Sequence, residues 1–130
     1  MRLEFKNIIT SVGTSKNKRF HFNLNKYRNA HFQQLNKAKK EFNLWFSFFL
    51  MGRGKGKRFN NPVGIHYKLW LKKRTDLMNV GAVVDKFFQD AIVQCGIIPD
   101  DNPEWVKKTS FGFMGYEKKN RVDAIIQELK

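Results

Sequence analysis

VGIHYKLWLKKRTDLMNVGAVVDKFFQDAIVQC, residues 63–95, decides the fold. Its first part alternates. Val63, Ile65, Tyr67, Leu69 and Leu71 fall on one face of an extended chain, the period of a half-buried strand, with Trp70 on the other face. From about Leu77 to Cys95 the apolar period becomes helical. Projected at about 100° per residue, Val80, Val84, Phe87, Phe88, Ala91 and Cys95 share one broad face. Asn79, Val83, Lys86 and Asp90 share a narrow stripe beside it, and Asp85 projects away from both. Gly96 suits the helix end, where a left-handed residue closes the last turn.

Outward from this strand and helix, LEFKNIITSV alternates like a first strand. The basic, aromatic and asparagine-rich SKNKRFHFNLNKYRN reads as loop. From His31 to Leu50, the positions Leu35, Ala38, Phe42, Trp45 and Phe49 recur at three and four, a helix stripe. MGRGKGKRFNNP is a basic glycine loop, but its frame lacks the Gly-Lys-Ser/Thr ending of a phosphate-cradling P-loop. VKKTSFGFMGYEKK is a further strand, and RVDAIIQELK fits either a strand or a short helix. The order predicts an α+β fold: residues 1–130 as one small domain, a mixed sheet packed by two main helices.

With 42% hydrophobic residues and thirteen Phe, disorder is excluded as the chain's general state. No apolar run reaches the roughly 18 residues of a membrane span, so no membrane role is expected. The first residues lack the apolar core of a secretory signal. The single cysteine, Cys95, rules out an internal disulfide and fits a reducing, cytoplasmic setting.

The net charge of +14 calls for a polyanionic partner, most simply nucleic acid. Residues 1–75 hold 18 Lys+Arg against Glu4 and Glu41, a net of +16. Residues 76–130 hold 7 Lys+Arg against 9 Asp+Glu, a net of −2. Five of the eleven acids lie between Arg74 and Asn102. A protein that only coats phosphates gains nothing from acids near its basic surface. A nuclease uses lysines to hold the backbone and carboxylates to hold the metal that attacks it.

Each carboxylate also has a plain structural account. Asp76 precedes the helix and suits an N-cap, Asp100 and Asp101 suit the turn in IIPDDNPEW, and Lys86 with Asp90 suits a surface ion pair. Together they occupy a strand end, a helix stripe and the following turn, which can converge. Mg²⁺ needs only one or two carboxylates, with waters and phosphate oxygens completing the shell. His21, His31 and His66 are scattered without zinc spacing.

DLMN at 76–79, KFFQDAIV at 86–93 and GIIPDDN at 96–102 together resemble the RusA family of Holliday-junction resolvases. The match is to the phage-type branch that reads D-x-D-N, a helix with K-x-x-x-D-A-L, and a G-x-x-x-N/D-D turn. LNKYRNAH, beginning at Leu24 and Asn25, followed by KAKKE, is similar to that branch's early LNEY and AKxKKE segment. These patches span about residues 24–106.

The resemblance implies a homodimeric, Mg²⁺-dependent endonuclease, with Mn²⁺ as a substitute, acting on four-way DNA junctions and often phage-encoded. Asp76 and Asp101 map onto the metal-binding aspartates, Lys86 onto the helix lysine, Asp90 onto the helix aspartate and Asn79 onto the motif asparagine. The motif's second aspartate falls at Met78, whose thioether is a poor Mg²⁺ ligand. Asp90 or Asp100 then supplies the missing ligand, Asp85 does so if the helix is wound differently, or the protein binds junctions without cutting them. Lys37, Lys39, Lys40, Arg53, Lys55, Lys57, Arg58, Lys72, Lys73 and Arg74 are the expected backbone-binding cations.

Overall fold

The computed structural model describes residues 1–15, 18–51 and 56–129. In chain order these form β1 (Arg2–Ile8), β2 (Ser11–Ser15), β3 (Lys18–His21), α1 (Leu24–Asn29), α2 (Phe32–Leu50), β4 (Val63–Leu71), α3 (Leu77–Gln94), β5 (Val106–Tyr116) and β6 (Arg121–Glu128). The expected α+β domain with a mixed sheet is present. Its strands run in the order β1-β6-β4-β5, with β4 and β5 parallel and the other neighbours antiparallel. α3 is therefore the crossover of a β-α-β unit, which is why a strand period switches to a helix period across residues 63–95. Among the described residues, no helix is long and apolar enough to cross a membrane.

Two expectations change at the N-terminal end. The run 3–12 is not one strand: β1 ends at Ile8, with Asn7 at φ 59° and a register shift between Phe5 and Ile8. The Asn7 N–H donates to the buried Asp123 carboxylate of β6 at 3.0 Å, which fixes the bulge. The segment expected as loop forms β3 and α1. Phe20 and Phe22 are buried, and Phe22 stacks on Phe87 of α3 at 4.3 Å. Asn23 caps α1 by accepting from the Lys26 N–H. Burial of alternate aromatics overrode the polar composition that reads as loop.

The core lies between one sheet face and the two long helices. Phe5 of β1 meets Phe46 of α2 and Phe88 of α3 at 5.7 and 5.6 Å, and Tyr67 of β4 meets Phe88 at 5.8 Å. β6, ambiguous in sequence, is a strand with Val122, Ala124 and Ile126 buried on the face shared with β4's Val63 to Leu71 series. α3 sits close to β5: a Cβ at Gly81 would lie 2.8 Å from the Phe111 ring. The helix ends in a Schellman turn. Gly96, at φ 75°, donates to Val93 O, and Ile97 donates to Ile92 O.

Candidate functional site: a carboxylate and lysine cleft on α3

Asp85 does not project away from the protein. It lies on the side of α3 that faces β4, and its Oδ1 accepts from Tyr67 Oη at 2.6 Å and from Gln89 Nε2 at 2.7 Å. Both donors use the same oxygen, leaving Oδ2 without a protein donor among the described residues. Burial pushes the Asp85 carboxyl up from the ordinary 3.8. The charge of Asp101 adds to the rise, while the Tyr67 and Gln89 hydrogen bonds and Lys86 oppose it. The Tyr67 phenol is pushed well above the ordinary 10.0, first by its own burial and then by Asp85, so it stays a donor.

Asp85, Lys86, Gln89 and Asp90 of α3 line a cavity of about 340 Å³ with Tyr27 of α1, Lys39 of α2 and Asp101 of the turn after α3. Lys86 Nζ lies 5.5 Å from the centre of the Tyr27 ring, which holds the ammonium at the rim. Asp90 Oδ2 accepts from Asn43 Nδ2 at 3.1 Å and so ties α3 to α2. The Asp101 carboxylate accepts no hydrogen bond from any described residue, whereas its backbone N–H is held by Asp100 at 2.7 Å.

Three of the expected site residues, Lys86, Asp90 and Asp101, thus meet in one cleft. Asp76 does not join them. Its carboxylate accepts from the Met78 N–H at 3.0 Å as the N-cap of α3, and Asp85 lies nine positions further along the helix, about 13.5 Å of rise away. The expected Asp76–Asp101 ion site is therefore not formed within one chain. Asp100 is also outside the cleft: its oxygens accept from the Asp101 N–H and from Asn102 Nδ2, the turn its sequence predicts. Met78 is exposed and lines neither this cleft nor the core. Asn79 is a brace: its Oδ1 accepts from the Leu24 N–H and its Nδ2 donates to Thr75 Oγ1, joining α1 to α3.

Among the expected DNA-binding cations, Lys39 is at the cleft, and Lys37 and Lys40 are exposed on α2. Arg58 donates to Gly96 O at 3.2 Å beside the Schellman turn, and Lys57 is exposed next to it. Lys72 and Lys73 line a separate cavity with Asn25, and Arg74 faces Phe113 across another. Arg53 and Lys55 lie outside the described residues.

The cleft's donors fit Mg²⁺ or Mn²⁺ in kind. They are hard oxygens, and two carboxylates that repel one another, each with an oxygen unclaimed by protein donors, match the one or two that Mg²⁺ takes from a protein. No three His, Cys, Asp or Glu residues among those described come together as a ligand group, so waters and phosphate oxygens would fill the remaining positions. Sequence projection missed Asp85, Tyr67 and Gln89. A signal was present: a tyrosine on the buried face of a strand needs a partner for its hydroxyl, and Asp85 with Gln89 forms a polar i,i+4 pair on the facing helix.

No family model matches the chain, and no curated protein matches its sequence.

Proposed function

We propose that the protein is a structure-selective endonuclease that cuts branched DNA, including four-way junctions, by Mg²⁺-dependent phosphodiester hydrolysis. The observation that carries this reading is the cleft itself. In a chain of net charge +14, Asp85, Asp90 and Asp101 gather with Lys39 and Lys86 around one solvent-open cavity. Positive surface draws in the DNA backbone, and carboxylates set into it with oxygens free of protein donors, as at Asp85 and Asp101, are suited to hold a cation against that backbone.

In this reading Asp85 and Asp101 would hold the ion. When bound, Mg²⁺ supplies an activated water and offsets charge on the leaving oxygen. The chain's own residues do the rest. Tyr67 and Gln89 fix the Asp85 carboxylate, so that its free oxygen stays aimed without reorganisation. Lys86, steadied by Tyr27, faces the non-bridging phosphate oxygens, and Lys39 sets the strand against α2. Asp90, tied to Asn43, keeps the two helices in register at the cleft. A homodimer would present two such clefts to the two-fold outline of a junction.

The test is nicking of a synthetic four-way junction with Mg²⁺ or Mn²⁺. Nicks that disappear in Asp85→Asn/Asp101→Asn and persist in Asp76→Ala support the reading. Tight, salt-sensitive junction binding without nicks in either metal would replace it with the second reading, a RusA-like protein that binds branched DNA without cutting. Met78, where the motif has a carboxylate, favours that second reading.

A further inference from the structure

A second cavity, of about 720 Å³, lies at the other end of α3, beneath Asn79 and Val80. Its chemistry is the inverse of the cleft's. Arg19 of β3, Lys72 and Lys73 after β4, and Lys119 before β6 line it, and no Asp or Glu does. Three segments distant in sequence thus contribute four cations to one hollow.

The neutral groups add donors. Arg19 is held by Ser11, with Nη2 donating to Oγ at 2.9 Å and to the carbonyl at 3.1 Å, and Nε donating to Oγ at 3.1 Å. The guanidinium is therefore fixed before any ligand arrives. Asn120 Oδ1 accepts from the Lys72 N–H at 2.8 Å, and Asn23 Oδ1 accepts from the Lys26 N–H at 2.8 Å. With both acceptors occupied by backbone, what these amides have left to offer are their Nδ2 donors. A pocket of cations and donors, with the carboxamide oxygens of Asn23, Asn79 and Asn120 already accepting from backbone, suits an anion with several acceptor oxygens.

We propose that this cavity seats phosphate groups of a nucleic-acid strand whose neighbouring segment enters the carboxylate cleft. Asn79 and Lys86 lie seven residues apart on one stripe of α3, and α1 runs between the two sites: Leu24 bonds Asn79, and Tyr27 meets Lys86. The α3 residues of the two sites are separated along the helix by about 7 to 17 Å. At about 3.4 Å of axial rise per nucleotide, that is roughly two to five nucleotides. The anion seat stands on the cavity alone. The spacing to the cut rests on the endonuclease reading.

The test is anisotropy of a labelled single-stranded oligonucleotide over a salt series, using the full chain. Asn23→Asp/Asn120→Asp keeps both Oδ1 acceptors, so the fold is preserved, but puts carboxylates where donors stood. Its affinity should fall at least tenfold. Lys72→Ala/Lys73→Ala/Lys119→Ala should flatten the salt slope by about two units and weaken binding more than Lys6→Ala/Lys107→Ala/Lys108→Ala, an equal charge loss on the main sheet. Unchanged affinity in the Asn double variant, or equal losses in both lysine triples, would overturn the seat. So would AMP displacing the oligonucleotide at equal nucleotide concentration, which would mark a small-molecule site. Junction nicking measured in parallel separates the two ideas. A protein that never nicks but loses strand binding in the Asn variant keeps the seat and loses the nuclease. Normal nicking with unchanged binding removes only the seat.

Discussion

At Asp85 the cost of the proposed site is visible in a single side chain. A carboxyl whose folded pKa lies above its unfolded value holds its proton longer in the folded state. Asp85's contribution to stability is therefore lost as pH rises from about 4 through the raised value. Asp85→Asn keeps an Oδ1 for Tyr67 and Gln89 and has no charge to bury. Melting temperatures from pH 3 to 8 should show the variant gaining on the wild type as pH rises, while nicking is lost at every pH. Asp76 and Asp101 make the opposite pair. Asp76→Ala removes a helix cap and should cost about 0.5–2 kcal/mol in denaturant melts, leaving nicking by the folded protein in place. Asp101→Asn touches no protein donor and should change stability by less than about 0.5 kcal/mol. Its nicking rate should drop on the order of 10²-fold, the scale of losing one electrostatic stabiliser.

α3 is the element on which both proposed sites depend, and it packs closely on β5. Gly81→Ala should destabilise by about 1–3 kcal/mol in chemical denaturation despite alanine's better helix propensity, because the new methyl meets the Phe111 ring. The existence, span and buried face of this helix were legible from its apolar period, and so were β4 and the Gly96 stop. What was not legible is which way its polar residues lean. A helical projection ranks positions by angle but contains no sheet, and it is Tyr67 across the gap that turns Asp85 from an outward residue into a half-buried one. Val83, assigned to the same stripe as Asn79, Lys86 and Asp90, is fully buried, so that stripe dips into the core between the two cavities. β3 and α1 were missed because Arg19, His21, Asn23 and Asn25 dominate the composition there, while burial of Phe20 and Phe22 decides the structure. The convergence of Asp101 on the middle of α3, rather than on Asp76, depends on the turn's three-dimensional path, which spacing does not encode.

For the whole molecule, charge separation is the organising fact. The cationic cavity and the carboxylate cleft are lined by different stretches of α3, so in the proposed reading one would hold a strand and the other would cut it. Sedimentation at moderate salt should give a dimer of twice 15.4 kDa, and junction binding should weaken steeply with salt. A monomer that still nicks both opposed strands in one encounter would contradict the dimer.

The strand order also governs how the chain comes to be folded. β6 lies between β1 and β4, so β1 has no partner in the main sheet until residues more than a hundred positions later arrive: Arg2 pairs with Gln127 and Phe5 with Ala124. Loop-closure entropy must be met before those pairings return anything. A nascent chain that stops short of Arg121 leaves an unpaired β1 and an open β4 edge beside a cluster of aromatic rings. The protein is therefore most exposed to mispairing during its own synthesis, and β6 is the segment whose arrival ends that exposure.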